Sequence, residues 1–227
     1  MKLNVLVGCE ESQAVCKEFR ALGHEAYSCD LQECSGGHPE WHLQMDIFKA
    51  IDLKKWDLLI AFPPCTFIAN AGQPHKAKDH TREKKTDEAI RFARAIYDCE
   101  IERVAIENPV GVMSTRWRRP DQAIQPFYFG DPIRKYTCLW LKNLPPLAWV
   151  KKDDLFNQSL LVKPNPPIGE FVRKGKYRPG TIRKLYWQDY VPKKDRGKIK
   201  SKTFPGIAKA MADQWSEYII NKETKAA

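Results

Sequence analysis

Short apolar runs alternate with helix-patterned segments through the first half of this chain, and each run ends on a polar or reactive residue. LNVLVG (Leu3–Gly8), EAYSCD (Glu25–Asp30), DLLIAF (Asp57–Phe62) and RVAIENP (Arg103–Pro109) read as strands. Between them, Val15, Phe19 and Leu22 mark one face of a helix that Ser12 would cap and Gly23 would close. A short helix is expected after Asp46, through Phe48 and Ile51, and a longer one from about Thr86 to Cys99. Leu31–His42 and the charged Lys76–Lys85 read as loops, the second of them mobile. This alternation predicts an α/β fold, a doubly wound and mostly parallel sheet. Ligands of such sheets bind outside the carboxyl ends of the strands. Gly8, Cys9, Glu10, Glu11, Asp30, Asp46, Pro63, Pro64, Cys65, Glu107 and Asn108 would therefore line one cleft.

The 227 residues suit one such domain with a small appendage. No apolar run approaches the length of a membrane span, and the acidic Glu10 and Glu11 argue against a signal peptide, so no membrane association is expected. Seven scattered cysteines without a CxxC pair argue against a disulfide framework or a structural zinc site. They fit a reducing cytoplasm. The histidines (24, 38, 42, 75 and 80) show no ligand spacing and read as surface or loop residues, so no metal is expected.

Charge is distributed unevenly. Residues 151–200 hold 14 Lys and Arg against five Asp and Glu, which accounts for nine of the ten net positive charges. Tyr177, Tyr186, Trp187 and Tyr190 are interleaved with them, and prolines interrupt the stretch. Such a segment beside a nearly neutral domain suits a polyanionic partner. The expected organisation is a main α/β domain over 1–150, a small basic lobe over 151–200, and a C-terminal helix in 201–227 packed back on the core. Ile207, Met211, Trp215 and Tyr218 carry the helical spacing. A monomer is expected.

Two local motifs bear on chemistry. Pro63 and Pro64 stiffen the backbone and remove two donors, so Cys65 is presented at one place at a strand exit. A thiolate there is a nucleophile, but a turn holding a buried cysteine has the same sequence. Glu107-Asn108-Pro109 ends the next strand. Its carboxyl could stay protonated in a closed site and donate to a heterocycle nitrogen, or could merely cap a turn.

PPC followed about 40 residues later by ENP resembles the DNA cytosine-5 methyltransferases, whose fold is the Rossmann-like sheet of S-adenosylmethionine-dependent methyltransferases. Gly206–Ala212 (GIAKAMA) looks like that family's closing helix, and Arg134–Leu141 (RKYTCLWL) like its basic strand. The string from Ile106 to Leu141 also looks like compact members carried by bacterial viruses. The resemblance covers nearly the whole chain and is weakest between Lys151 and Lys200. It implies S-adenosylmethionine as cofactor, held by Gly8, Cys9, Glu10, Glu11, Asp30, Asp46 and Pro63, and double-stranded DNA as partner. It implies Cys65 as nucleophile at C6 of a flipped cytosine, Glu107 as the acid at N3, and Lys135 or Arg134 at the carbonyl oxygen. Pro64, Asn70, Asn108, Thr137, Lys174, Lys176, Arg178 and Arg183 become expected contacts to the substrate DNA, and the loop through Thr66, Phe67, Asn70 and Gly72 is expected to close over the base. Three departures stand out. The glycine-rich first motif is VGCEES here, Asp30 stands where the family usually has Glu, and Lys135 with Thr137 replaces a pair of arginines. So short a lobe offers few base-edge contacts, which implies a short target sequence. An amino-methyltransferase acting on cytosine N4 or adenine N6, and a catalytically silent DNA-binding protein, are the alternative readings.

Overall fold

The computed structural model describes residues 1–70, 81–149, 163–172, 180–185 and 203–226. Seven strands form one sheet: β1 (Asn4–Gly8), β2 (Glu25–Asp30), β3 (His42–Gln44), β4 (Leu58–Ala61), β5 (Val104–Pro109), β6 (Gln122–Ile124) and β7 (Thr137–Lys142). Their order is β3-β2-β1-β4-β5-β7-β6. β1 to β5 are parallel, whereas β7 runs antiparallel to both β5 and β6. The helices are α1 (Ala14–Ala21), α2 (Ile47–Asp52), α3 (Arg82–Tyr97), α4 (Met113–Arg116) and α5 (Pro205–Ala226). This is the doubly wound, mostly parallel α/β class expected from the sequence.

The strands are apolar along their length because both sheet faces are covered. Successive residues alternate between two cores. Val5, Val7, Leu58, Ile60, Ala105, Leu139 and Leu141 face α1 and α5, whereas Leu6, Leu59, Ala61, Val104, Ile106 and Trp140 face α2, α3 and α4. α5 packs along α1 through Ile207, Met211, Trp215 and Ile219. Asp131 accepts the N–H of Gly206 at 2.8 Å, and the Trp215 indole donates to the Pro145 carbonyl at 3.0 Å.

Several local expectations change. Ser12 does not cap α1. Instead the Glu10 carboxylate accepts from the N–H groups of Val15 (2.7 Å) and Cys16 (3.3 Å), because the chain enters the helix through Gln13 in a left-handed conformation (φ 58°). Leu22 is exposed at the end of α1 rather than part of its buried face. The loop assigned to Leu31–His42 ends in a third strand, β3, and β6 is a further strand; each is only three residues long. α2 buries Ile47 and Ala50, with Phe48 and Ile51 only partly buried. α3 begins one turn earlier than expected, at Arg82. His24 is buried, its Nδ1 accepting the N–H of Leu3 at 3.4 Å, rather than on the surface.

Of the basic segment, β8 (Gly169–Val172) and β9 (Ile182–Leu185) form a separate antiparallel pair. Arg183 falls on β9. Lys174, Lys176 and Arg178 lie outside the described residues, as do Gly72 and the loop expected from Lys76 up to residue 80. No helix among the described residues is long and apolar enough to cross a membrane.

Candidate active site

The sheet order reverses at β1 and β4, and crossovers leave toward opposite faces there, so a crevice opens at their carboxyl ends. β4 continues its pairing for one residue, Phe62 donating to the Gly8 carbonyl at 3.0 Å, before Pro63 and Pro64 end it. Pro63 is buried and Pro64 exposed. Cys65 then opens a single turn in which Ile68 and Ala69 donate to its carbonyl at 3.0 and 2.8 Å.

This turn is tied to the exit of β5. Asn108 is 1% exposed and donates from Nδ2 to the Pro63 carbonyl at 2.8 Å. Asn70 is exposed, and its backbone N–H donates to the Val110 carbonyl at 3.1 Å, while Val112 donates to the Ile68 carbonyl at 3.0 Å. Gly111 permits the approach, since a Cβ there would stand 2.2 Å from the Ile68 carbonyl oxygen. Gly111→Ala should therefore push the two loops apart. The expected result is a loss of about 1–3 kcal/mol in urea unfolding, the usual cost of overpacking.

Cys65, Glu107 and Lys135 come together at this edge. Burial pushes the Cys65 thiol above its ordinary value, the Glu107 carboxylate raises it further, and Lys135 pulls it down. Burial also raises Glu107, against the opposing effects of Lys135 and a hydrogen bond with Thr137. Thr137 is buried at the start of β7, opposite Pro109. Lys135 lies with its Nζ 5.6 Å from the Phe204 ring centre, and Arg134 is exposed with its guanidinium 5.7 Å from the Phe127 ring. The arrangement holds a thiol, a carboxyl with a raised pKa and a cation within electrostatic reach of one another. A nucleophile, a proton donor and an anion-stabilising group are thus available at one place.

The exits of β1, β2 and β3 form the other half of the crevice. Cys9 is half-buried, adopts φ 56°, and its thiol is pushed up to about 12 by burial and by the charges of Asp30 and Asp46 among others. Asp30 accepts the N–H of Gln32, and Asp46 caps α2 through the N–H of Phe48, both at 2.9 Å. Glu11 is half-buried and bonds the Ser35 hydroxyl, while its carbonyl accepts the Ser35 N–H. Two expected contacts in this half have other employment. Gly8 makes room for Ile47, whose Cδ1 would be 2.2 Å from an added Cβ. The Glu10 side chain is 4% exposed and turned into the start of α1 rather than toward the cleft. No glycine-rich turn exists here, and the chain instead takes left-handed backbone at Cys9 and Gln13. Gln13 offsets that strain by bonding Ser28 and both backbone groups of His38.

Burial raises the Glu10 carboxyl to about 8 despite its two helix N–H donors. The folded state therefore holds this proton more tightly than the unfolded chain, and stability should fall as pH rises from about 4.5 to 8. Glu10→Gln should flatten that part of the profile, which melting temperatures measured across the interval will show.

Sequence reasoning missed Arg82 and Thr86 on α3. Arg82 donates from Nη2 to the Thr66 carbonyl at 2.9 Å, and Thr86 from Oγ1 to the Phe67 carbonyl at 3.1 Å. Their signal was hidden in a charged run. Among the described residues no cluster of His, Cys, Asp or Glu could hold a metal ion, and all seven cysteines are free.

No family model and no curated protein matches the sequence. Among solved structures, the chain is similar to a DNA modification methyltransferase encoded within a prophage (E. coli), at 14% identity over 71% of this chain and 52% of that one, TM-score 0.44. It is also similar to the Entamoeba histolytica methyltransferase EhMeth (16% identity, 73% and 58%, TM-score 0.46) and to the S. pombe Dnmt2 methyltransferase (17%, 70% and 54%, TM-score 0.40). The chain spans little more than half the length of each.

Proposed function

We propose that this protein transfers a methyl group from S-adenosylmethionine to C5 of cytosine in double-stranded DNA. The observation that carries the reading is the meeting of Cys65 and Glu107, from adjacent strand exits, with Lys135 in range of both. The named motifs in the sequence, PPC and ENP, supply the two reacting groups. The excess of positive charge in residues 151–200 suits a nucleic acid partner.

The half of the crevice at β1 to β3 fits the cofactor chemically. Asp30 and Asp46, both within electrostatic reach of the Cys9 thiol, offer carboxylate acceptors suited to ribose hydroxyls and an adenine amine. S-Adenosylmethionine bound there would supply an electrophilic methyl group. The chain's own residues do the rest. A stacked base hides C6, so the cytosine must leave the duplex and enter the cleft. Cys65 adds to C6 as its thiolate, and a proton held by Glu107 is donated toward N3, so that the charge of addition is taken up and C5 becomes nucleophilic. Lys135 opposes negative charge on the base carbonyl oxygen and favours the thiolate. After C5 is methylated, its proton passes to water, the proton at N3 returns to Glu107, the C5–C6 double bond re-forms and the Cys65 thiolate is expelled. Asn108 keeps the turn of Cys65 in register with Glu107 through its bond to Pro63.

Incubation with unmethylated duplex DNA and S-adenosylmethionine, followed by digestion and mass spectrometry of the nucleosides, tests this. The expected product is 5-methylcytosine. N4-Methylcytosine or N6-methyladenine would replace the reading with transfer to an exocyclic amine, and bound DNA without product would replace it with a silent binder.

A further inference from the structure

Between Pro64 and the bridge of Ala69 to Gly111, the segment carrying Cys65 has no strand partner. Its carbonyls at Thr66 and Phe67 are nevertheless satisfied, and both donors come from the first turns of α3. Arg82 is 8% exposed and Thr86 fully buried. The Arg82 guanidinium donates to the Thr66 carbonyl and sits 5.2 Å from the centre of the Phe67 ring, with its Nε buried and unpartnered. The Thr86 hydroxyl lies 3.1 Å from the Phe67 carbonyl and 2.9 Å from the Arg82 carbonyl, so its single proton serves two acceptors and links α3 to the loop. A buried arginine costs desolvation that a helix surface would not demand.

We propose that Arg82 and Thr86 are positioning residues for the Cys65 nucleophile: they clamp the two peptide carbonyls that follow it and so hold the thiol against Glu107 and Lys135. This rests on the reaction proposed above. With the Asn108, Val110 and Val112 bonds on one side and α3 on the other, residues 65–70 are braced from two directions. The reaction needs its reacting atoms placed to within about 1 Å, and misplacement on that scale costs about 10²-fold in rate.

The test uses the full-length protein and four variants: Arg82→Ala, Arg82→Lys, Thr86→Val and Thr86→Ser. Two readouts are taken. The first is kcat and KM for methyl transfer to duplex DNA. The second is the pH dependence of Cys65 alkylation by iodoacetamide, followed on the Cys65 peptide by mass spectrometry, which needs no methyl transfer. Arg82→Ala is expected to lower kcat by about 10²-fold with little change in the cofactor KM. It should also shift the alkylation midpoint of Cys65 down toward an ordinary cysteine, as the thiol escapes its buried setting. Thr86→Val should move both readouts in the same direction by less, Arg82→Lys should recover part of the loss, and Thr86→Ser should behave as wild type. Equal alkylation profiles in all five proteins would overturn the proposal, as would a fall in kcat that Thr86→Ser fails to rescue. If the wild type makes no methylated base, the reaction reading fails while alkylation still decides whether the clamp exists.

Discussion

Cys65→Ser is expected to bind duplex DNA as the wild type does and to lose methyl transfer by on the order of 10⁴-fold or more, the scale on which enzymes lose rate with their nucleophile. The substitution removes almost no volume and leaves the half-buried turn intact, so the fold should survive. Its chemical effect is large because a hydroxyl is far harder to ionise than a thiol. The surroundings of Cys65 already disfavour negative charge, through burial and the Glu107 carboxylate. Lys135 offsets that only in part. Loss of 5-methylcytosine with retained binding would place the thiol in the chemistry. Duplex DNA bearing 5-fluorocytosine supplies an independent readout. Fluorine at C5 cannot leave as the proton does, so wild type should accumulate a covalent adduct at Cys65 and the serine variant should not. Substantial methylation by Cys65→Ser would remove the covalent mechanism.

The second large effect is expected at Glu107, where two readouts should move in opposite directions. Glu107→Gln removes the acid and should lower kcat by about 10²–10⁴-fold, the usual worth of a general acid. It also removes the carboxylate that raises the Cys65 thiol, so the thiol pKa falls and alkylation by iodoacetamide at a fixed pH becomes faster. The size of the difference depends on pH. Where the Glu107 carboxyl is protonated it exerts no repulsion, and variant and wild type should react alike. The difference should open as pH rises through the raised Glu107 pKa, and wild-type kcat should fall over the same interval as the donor proton is lost. Lys135→Ala is the matched control. It removes a charge that favours the thiolate, so alkylation should slow. A Glu107→Gln protein whose thiol reacts no faster at any pH would separate the two side chains and leave the site without its acid.

The meeting of Cys65 and Glu107 was legible because each sits in a motif of three residues, and because a parallel strand carries whatever follows it to a predictable edge. PPC and ENP end strands whose apolar runs are unmistakable, so their meeting required only that β4 and β5 be neighbours. Short strands were not legible. His42–Gln44 and Gln122–Ile124 are three residues each, too few for periodicity to register, and they exist because a neighbouring strand offers them partners. Capping was misread for a related reason. Ser12 stands where a helix start is usually capped, but left-handed backbone at Cys9 and Gln13 turns the chain so that Glu10 reaches the N–H groups first.

Sequence by itself determined the α/β class, the order of most elements, the strand exits that carry Cys65 and Glu107, and the concentration of charge in residues 151–200. These follow from local composition and from the two-residue and 3.6-residue periods of secondary structure. Tertiary structure alone decided which polar side chains serve the site and which serve the fold. Glu10 and Gly8 lie beside the crevice yet are used by α1 and α2, while Arg82 and Thr86, some 20 residues beyond Cys65 in a charged stretch, turn inward to hold its loop. The physical reason is that a buried carbonyl must find a donor wherever the packing brings one, and no local pattern in a sequence records which distant side chain that will be.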